Sequence, residues 1–113
     1  MSSSVSYKIE TIAPFRKEAK KLIRKYPSLK GELAELGRQL SENPQIGTSI
    51  GNDCYKIRLA IKSKGKGKSG GARLITHVVH VSSHVVYLLS IYDKSDQETI
   101  TDKDLQTLLN LIQ

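Results

Sequence analysis

The sequence predicts an α+β domain: a helical hairpin on one face of a mainly antiparallel, four-stranded sheet, with a short C-terminal helix, in the order β-α-α-β-β-β-α. Three observations predict it. Two amphipathic stretches with helical spacing lie between residues 14 and 42. Three runs with strand character follow between residues 55 and 92, parted by a Gly/Lys stretch and by Ser82-Ser83. A capping signal at Thr101 then opens one more helix. The 113 residues are the length of one domain, residues 1–113. A chain of that size buries about two-thirds of its unfolded surface, enough to fold without a disulfide or a metal.

Each element has its own physical reason. Val5, Tyr7 and Ile9 alternate with Ser6, Lys8 and Glu10, the pattern of a half-buried strand. Pro14 suits the first turn of a helix, where its missing N–H goes unneeded. Phe15, Ala19, Leu22, Ile23 and Tyr26 then form an apolar stripe. Pro27 ends that helix by pushing the residue before it out of the helical region. Ser28 is placed to cap a second helix, whose inner face is Leu29, Leu33, Leu36 and Leu40, up to Asn43-Pro44. The stretch 47–53 is turn-rich. Tyr55, Ile57, Leu59 and Ile61 alternate with Lys56, Arg58, Ala60 and Lys62, giving a strand with one apolar and one cationic face. Residues 63–71 read as a flexible basic loop. A strand over 72–81 and a turn at Ser82-Ser83 precede the strand 85–92, which is apolar on both faces and therefore central. Thr101 and Asp104 have capping-box spacing, and Leu105, Leu108, Leu109 and Ile112 line the last helix.

Composition excludes several functions. No apolar run approaches the roughly 18 residues of a membrane helix. The N-terminus has no apolar core of a signal peptide, so the expectation is a soluble, cytoplasmic protein with no membrane partner. A single cysteine, Cys54, rules out a disulfide framework and a thiolate zinc site.

Charge is more informative. Lys and Arg number 18 against 11 Asp and Glu, a formal net charge of +7. Seven of the basic residues fall between Arg16 and Lys30 and seven more between Lys56 and Arg73, whereas residues 54–92 contain no Asp or Glu. A one-sided positive field of this kind attracts polyanions.

Motifs that promise chemistry mostly fail on spacing. Gly67-Lys68-Ser69 resembles the end of a phosphate-binding loop, but Lys62 stands where that motif needs a glycine, and a strand follows instead of a helix. His77 and His80 have odd spacing on a strand and point to opposite faces, so His77, His80 and His84 are not read as metal ligands. No Gly-x-Ser-x-Gly elbow is present. Cys54 reads as a small buried residue. What survives is the cationic strand face. Lys56 and Arg58 project from one side, and Arg73 opens the neighbouring strand, close to Arg58 if the two strands pair as a hairpin. Arginine presents a planar fork to phosphate oxygens. A crowded lysine loses its proton more easily. Such a cluster can either bind a nucleic-acid backbone or cleave it without metal or histidine, and the residues alone leave both readings open.

The run Asn52-Asp53-Cys54-Tyr55-Lys56-Ile57-Arg58-Leu59, followed by Gly71-Ala72-Arg73-Leu74-Ile75, resembles the central hairpin of RelE-type toxins from bacterial toxin–antitoxin modules. Val86-Tyr87-Leu88-Leu89-Ser90-Ile91-Tyr92-Asp93-Lys94 is similar to that family's last strand and the basic position after it. The long Lys/Gly loop and the Tyr-Asp-Lys ending look closer to the HigB-like branch. The resemblance implies a ribosome-dependent endoribonuclease, an mRNA interferase that needs no cofactor. It cuts mRNA in the decoding site by attack of a ribose 2′-OH on the adjacent phosphate. It implies partners too: a cognate antitoxin from an adjacent gene, and the ribosome. Carried over, Arg58 and Arg73 serve phosphate and transition-state charge, Lys56 activates the 2′-OH or binds phosphate, and Lys94 holds the RNA backbone. A tyrosine that RelE carries near the C-terminal helix is replaced by Ile100; Tyr92 is the candidate substitute, as acid or as base-stacking platform. Lys62, Lys64, Lys66 and Lys68 are expected to grip RNA phosphates. The same fold also supports a ParE-like inhibitor of DNA gyrase or a non-catalytic RNA-binding module.

Overall fold

In the computed structural model, which describes residues 6–65, 67, 70–81, 83–97 and 99–112, the first half of the chain runs β1 (Lys8–Thr11), α1 (Ala13–Lys25), α2 (Leu29–Glu42), β2 (Thr48–Gly51) and β3 (Cys54–Leu59). A 3-10 turn at Lys62–Lys64 leads to β4 (Ala72–Val79), β5 (Val85–Asp93) and α3 (Asp102–Asn110). One sheet holds these five strands, in the order β1-β5-β4-β3-β2. It is antiparallel except where β1 runs parallel to β5.

The class and element order are those expected, but the sheet has five strands instead of four. The additional strand is β2, inside the stretch read as turn. Of its four residues only Ile50 is even half-buried, so no apolar alternation betrays it. The turn makes the strand. Asn52 and Asp53 both have φ of 56°, the conformation a two-residue hairpin loop requires, and this folds Gly51 back onto Cys54. Val5 and Ser82, expected in the first strand and the last turn, lie outside the described residues.

The helices are positioned by their apolar stripes. α1 carries a proline in its first turn and buries Phe15, Ala19 and Leu22; α2 buries Leu29, Leu36 and Leu40. The cap expected of Ser28 is not made. Its hydroxyl instead donates to Glu32 Oε1 and accepts the backbone N–H of Ser63 at 2.9 Å, which ties the start of α2 to the 3-10 turn. Thr101 does cap α3, accepting the Asp104 N–H at 3.1 Å.

The sheet separates two cores. On one face Ile57, Leu74, Val78, Val86, Leu88 and Ile91 pack with the inward residues of α1 and α2. On the other face Cys54, Ile75, Leu89 and Tyr92 pack with Leu105 and Leu109 of α3. α3 is too short to cover that second face. β5 is an interior strand, flanked by β1 and β4, as its continuous apolar run requires, but the central strand of the five is β4 and not β5 as expected. Ile75 pairs with Ser90 but Thr76 with Leu88, so Leu89 is an extra residue that bulges the strand.

Candidate functional site

Register decides which cations meet. Arg58 lies directly opposite Arg73 in the β3–β4 ladder, and Arg73 lies directly opposite Tyr92 in the β4–β5 ladder. Directly paired residues project from the same face with Cβ atoms about 4.5–5.5 Å apart. Three adjacent strands therefore present Arg58, Arg73 and Tyr92 as one row, on the face that α3 covers only in part. Two residues along β3, Lys56 is opposite Ile75 and carries positive charge down the same face.

The members of the row differ in access. Arg58 is exposed and Lys56 half-exposed, whereas Arg73 is only 3 % exposed. The Arg73 guanidinium donates to the Ala72 carbonyl oxygen at 3.2 Å. Tyr92 is buried as well, and its hydroxyl makes no hydrogen bond of normal geometry with any described residue. Burial pushes the Tyr92 pKa up, against the opposing pull of the Arg73 charge and of a polar contact with Thr99. Tyr92 is therefore a neutral phenol, able to donate a proton or a hydrogen bond. Lys94 follows β5, with its backbone N–H bonded to the Gly71 carbonyl oxygen at 3.0 Å, two residues before Arg73.

The four expected RNA-gripping lysines separate. Lys62 is exposed, its backbone N–H held by Glu32 Oε2 at 2.9 Å. Lys66 and Lys68 lie outside the described residues. Lys64 corrects the expectation of a uniformly mobile basic loop. It belongs to the 3-10 turn, and its ammonium is paired with the buried Asp93 carboxylate and with Ser95 Oγ at 2.9 Å. The reason is electrostatic: an acid closing a buried strand requires a partner, and Lys64 supplies it.

Two features escaped sequence reasoning. Asp93 is 2 % exposed and joins Lys64, Tyr26 and the Ser95 backbone. A groove of about 650 Å³ also opens between α2 and β3, with Leu36, Ile46, Ile57 and Leu59 in its wall and Arg58 and Lys62 at its margin. Glu32 and Glu35 line the α2 side. The first basic cluster, from Arg16 to Lys30, lies on the solvent side of the helical hairpin, across the sheet from the Arg58–Arg73 row.

A five-stranded α+β domain with a cationic row of this kind defines a class of small basic proteins suited to polyanions, and comparison with known proteins gives the family. Residues 12–113 match the family described as "RelE toxin of RelE / RelB toxin-antitoxin system". The chain belongs to the RelE toxin family. Among solved structures it is similar to a double mutant of the E. coli toxin RelE in the free state, at 22 % identity and a TM-score of 0.63, covering 96 % of this chain and 99 % of that one. It is similar also to the RelBE2 toxin–antitoxin complex from Mycobacterium tuberculosis, at 18 % identity and a TM-score of 0.61, covering 83 % and 98 %. The isolated E. coli RelE toxin matches at 23 % identity and a TM-score of 0.52, covering 94 % and 99 %. At these identities the structures establish likeness of fold. Among the described residues, no helix is long and apolar enough to cross a membrane.

Proposed function

We propose that this protein is a ribosome-dependent endoribonuclease that halts translation by cutting mRNA in the decoding site. The observation that carries the reading is the row Arg58–Arg73–Tyr92, with Lys56 on the same face. In the reaction, the ribose 2′-OH gives up its proton and attacks the neighbouring phosphorus. The P–O5′ bond breaks, leaving a 2′,3′-cyclic phosphate, and the departing oxygen takes a proton to become a 5′-OH. Negative charge grows on the non-bridging oxygens as the new bond forms. Arg58, at the surface, meets those oxygens with its planar fork. Arg73 lies behind it, in poorly solvated surroundings where a fixed charge acts strongly. Lys56 is the group that takes the 2′-OH proton or holds the adjoining phosphate, and the neutral phenol of Tyr92 is a proton donor or a base-stacking surface. Lys94 holds the RNA backbone on the other side of Arg73, and Lys62 adds attraction for phosphates. The setting is the cytoplasm, where ribosomes are found.

A toxin of this kind needs an inhibitor. By analogy with the RelBE2 complex, we assign it an antitoxin from an adjacent gene, and the groove between α2 and β3 is a suitable place for one of its segments, because Arg58 belongs to both groove and row.

Induced expression followed by mapping of mRNA 5′ ends tests the proposal. The expected result is arrest of protein synthesis, with new 5′ ends in translated codons. Arg58→Ala removes one charge stabiliser, which typically lowers the rate by on the order of 100–1000-fold. Arg73→Ala is expected to do the same, with thermal stability measured alongside because that side chain is buried. Full toxicity of both variants at equal protein level removes the site assignment. Arrest of replication with intact messages points instead to a gyrase inhibitor.

A further inference from the structure

Asp93 is the last residue of β5, and it gathers three separate parts of the chain. Its Oδ1 accepts from the Lys64 ammonium and from the Ser95 backbone N–H at 2.9 Å, and its Oδ2 accepts from the Tyr26 hydroxyl at 3.1 Å. Lys64 Nζ lies 5.7 Å from the centroid of the Tyr26 ring, and it also donates to Ser95 Oγ. The Lys64 side chain is 9 % exposed and that of Asp93 1 %. The Asp93 carbonyl oxygen in turn accepts the N–H groups of Asp96 at 2.9 Å and Gln97 at 3.3 Å. The turn over residues 93–97 is thus closed by its own backbone and pinned from beneath by an ion pair.

Lys94 lies inside that turn. Its own N–H is bonded to the Gly71 carbonyl oxygen, so it is fixed between the Asp93 turn and the start of β4, where Arg73 lies. In the ladder, Asp93 is opposite Ala72 and Tyr92 is opposite Arg73. Arg73, Tyr92 and Lys94 are therefore each within one residue of the Ala72–Asp93 rung or beside it in the chain. A buried ion pair is a poor device for stability, since well-packed apolar side chains often serve as well. It does impose one geometry, because breaking it leaves an unpaired buried charge.

We infer that Lys64 and Asp93 are positioning residues of the cationic row: their ion pair, with Tyr26, fixes the 93–97 turn and so sets Lys94 beside Arg73. This rests on the endoribonuclease reading for its effect on rate, though not for its effect on structure. It also takes Lys64 out of the RNA-contacting set. Asp93, held at about 2 by Lys64, Ser95 and Tyr26 against the raising effect of burial, stays ionised at physiological pH, so the anchor is permanent and not a switch.

The test compares the parent with Lys64→Met/Asp93→Asn, which leaves no buried charge, and with Lys64→Arg, which keeps the pair. Three quantities are measured: amide exchange at Lys94, single-turnover cleavage on saturating programmed ribosomes, and ribosome affinity at two salt concentrations. The expected double variant keeps parental protection in β3 and β4 while its Lys94 amide exchanges about tenfold faster or more. Its saturated cleavage rate falls by on the order of 100-fold, the effect of a displaced group near the reacting atoms. Affinity and its salt dependence stay near those of the parent, and Lys64→Arg recovers most of the rate. If the double variant does not fold, Lys64→Gln/Asp93→Asn, which puts a neutral hydrogen-bonding pair in the same place and leaves neither partner charged, is read in the same way. Unchanged exchange at Lys94 overturns the inference. So does a loss confined to affinity with a flatter salt dependence, which would return Lys64 to the RNA. If the parent cleaves no message at all, the endoribonuclease reading fails, and Lys94 exchange still decides whether the ion pair fixes the turn.

Discussion

Cys54 is on the same face of β3 as Lys56 and Arg58, yet it is chemically apart from them. Its side chain is fully buried among Ile75, Leu89 and the α3 residues, and its thiol donates to the Asn52 carbonyl oxygen at 3.4 Å. The His77 Nδ1 atom, 3.5 Å from the sulfur, makes the pair look like a nucleophile and its base. Burial decides otherwise. It pushes the thiol up to about 11, with the Asp53 charge acting in the same direction. The thiolate is the reactive form, so at neutral pH Cys54 is inert. In the native protein, alkylation by iodoacetamide is therefore expected to be slow and to accelerate by orders of magnitude in denaturant. Rapid native labelling would mean that Cys54 is open to solvent and ionised. Cys54→Ser is expected to leave any cleavage rate unchanged.

At the scale of elements, the β3–β4 hairpin determines the site, and Gly71 determines how closely the hairpin closes. A Cβ on Gly71 would lie 2.1 Å from the Leu59 carbonyl oxygen, a backbone atom that has no room to yield. Gly71→Ala must therefore separate the strands where Arg58 meets Arg73. A loss of about 1–3 kcal/mol is expected, read as a lower denaturation midpoint at unchanged slope. Gly37→Ala is the control: nothing lies within 4 Å of its Cβ, and alanine in mid-helix should gain about 0.5–1 kcal/mol. Equal stability of Gly71→Ala and parent would refute the close approach. The hairpin itself is legible in the sequence, because the alternation of Tyr55, Ile57 and Leu59 with Lys56 and Arg58 admits one register against the apolar face of β4. β2 is not legible, since its cause is the backbone of Asn52 and Asp53 and not its own pattern. The inward turn of Lys64 is equally hidden. Glycine-spaced lysines read as a solvated loop, and the partner that captures one of them lies 29 residues away, at the end of another strand. The burial of Arg73 is also invisible locally, being imposed by elements packed around β4.

For the whole molecule, the sheet divides labour between its faces, with the helical hairpin and main core on one and the cationic row with α3 on the other. The Asp93 cluster lies on the helical-hairpin side, at the end of the strand that carries Tyr92 to the other face. Tyr26 reaches it from the end of α1, and Lys64 from the turn after β3. It is also the place where acid should loosen the fold. The Asp93 carboxyl is held at about 2 in the folded protein, below its ordinary value of 3.8. A depressed carboxylate pKa contributes stability that is full above the unfolded value and is lost as pH falls through the folded one. The window is therefore from about pH 4 down to about pH 2, and the loss is on the order of 2 kcal/mol. Denaturation midpoints measured across that window should fall more steeply for the parent than for Lys64→Met/Asp93→Asn, in which no carboxylate titrates at this position. Above about pH 5, the two stability curves should run parallel, because Asp93 is almost fully ionised there in both the folded and the unfolded chain and folding exchanges no proton at it. Curves that remain parallel down to pH 2 would show that the Asp93 carboxyl is not depressed by its partners, and that the three segments are joined there by packing alone.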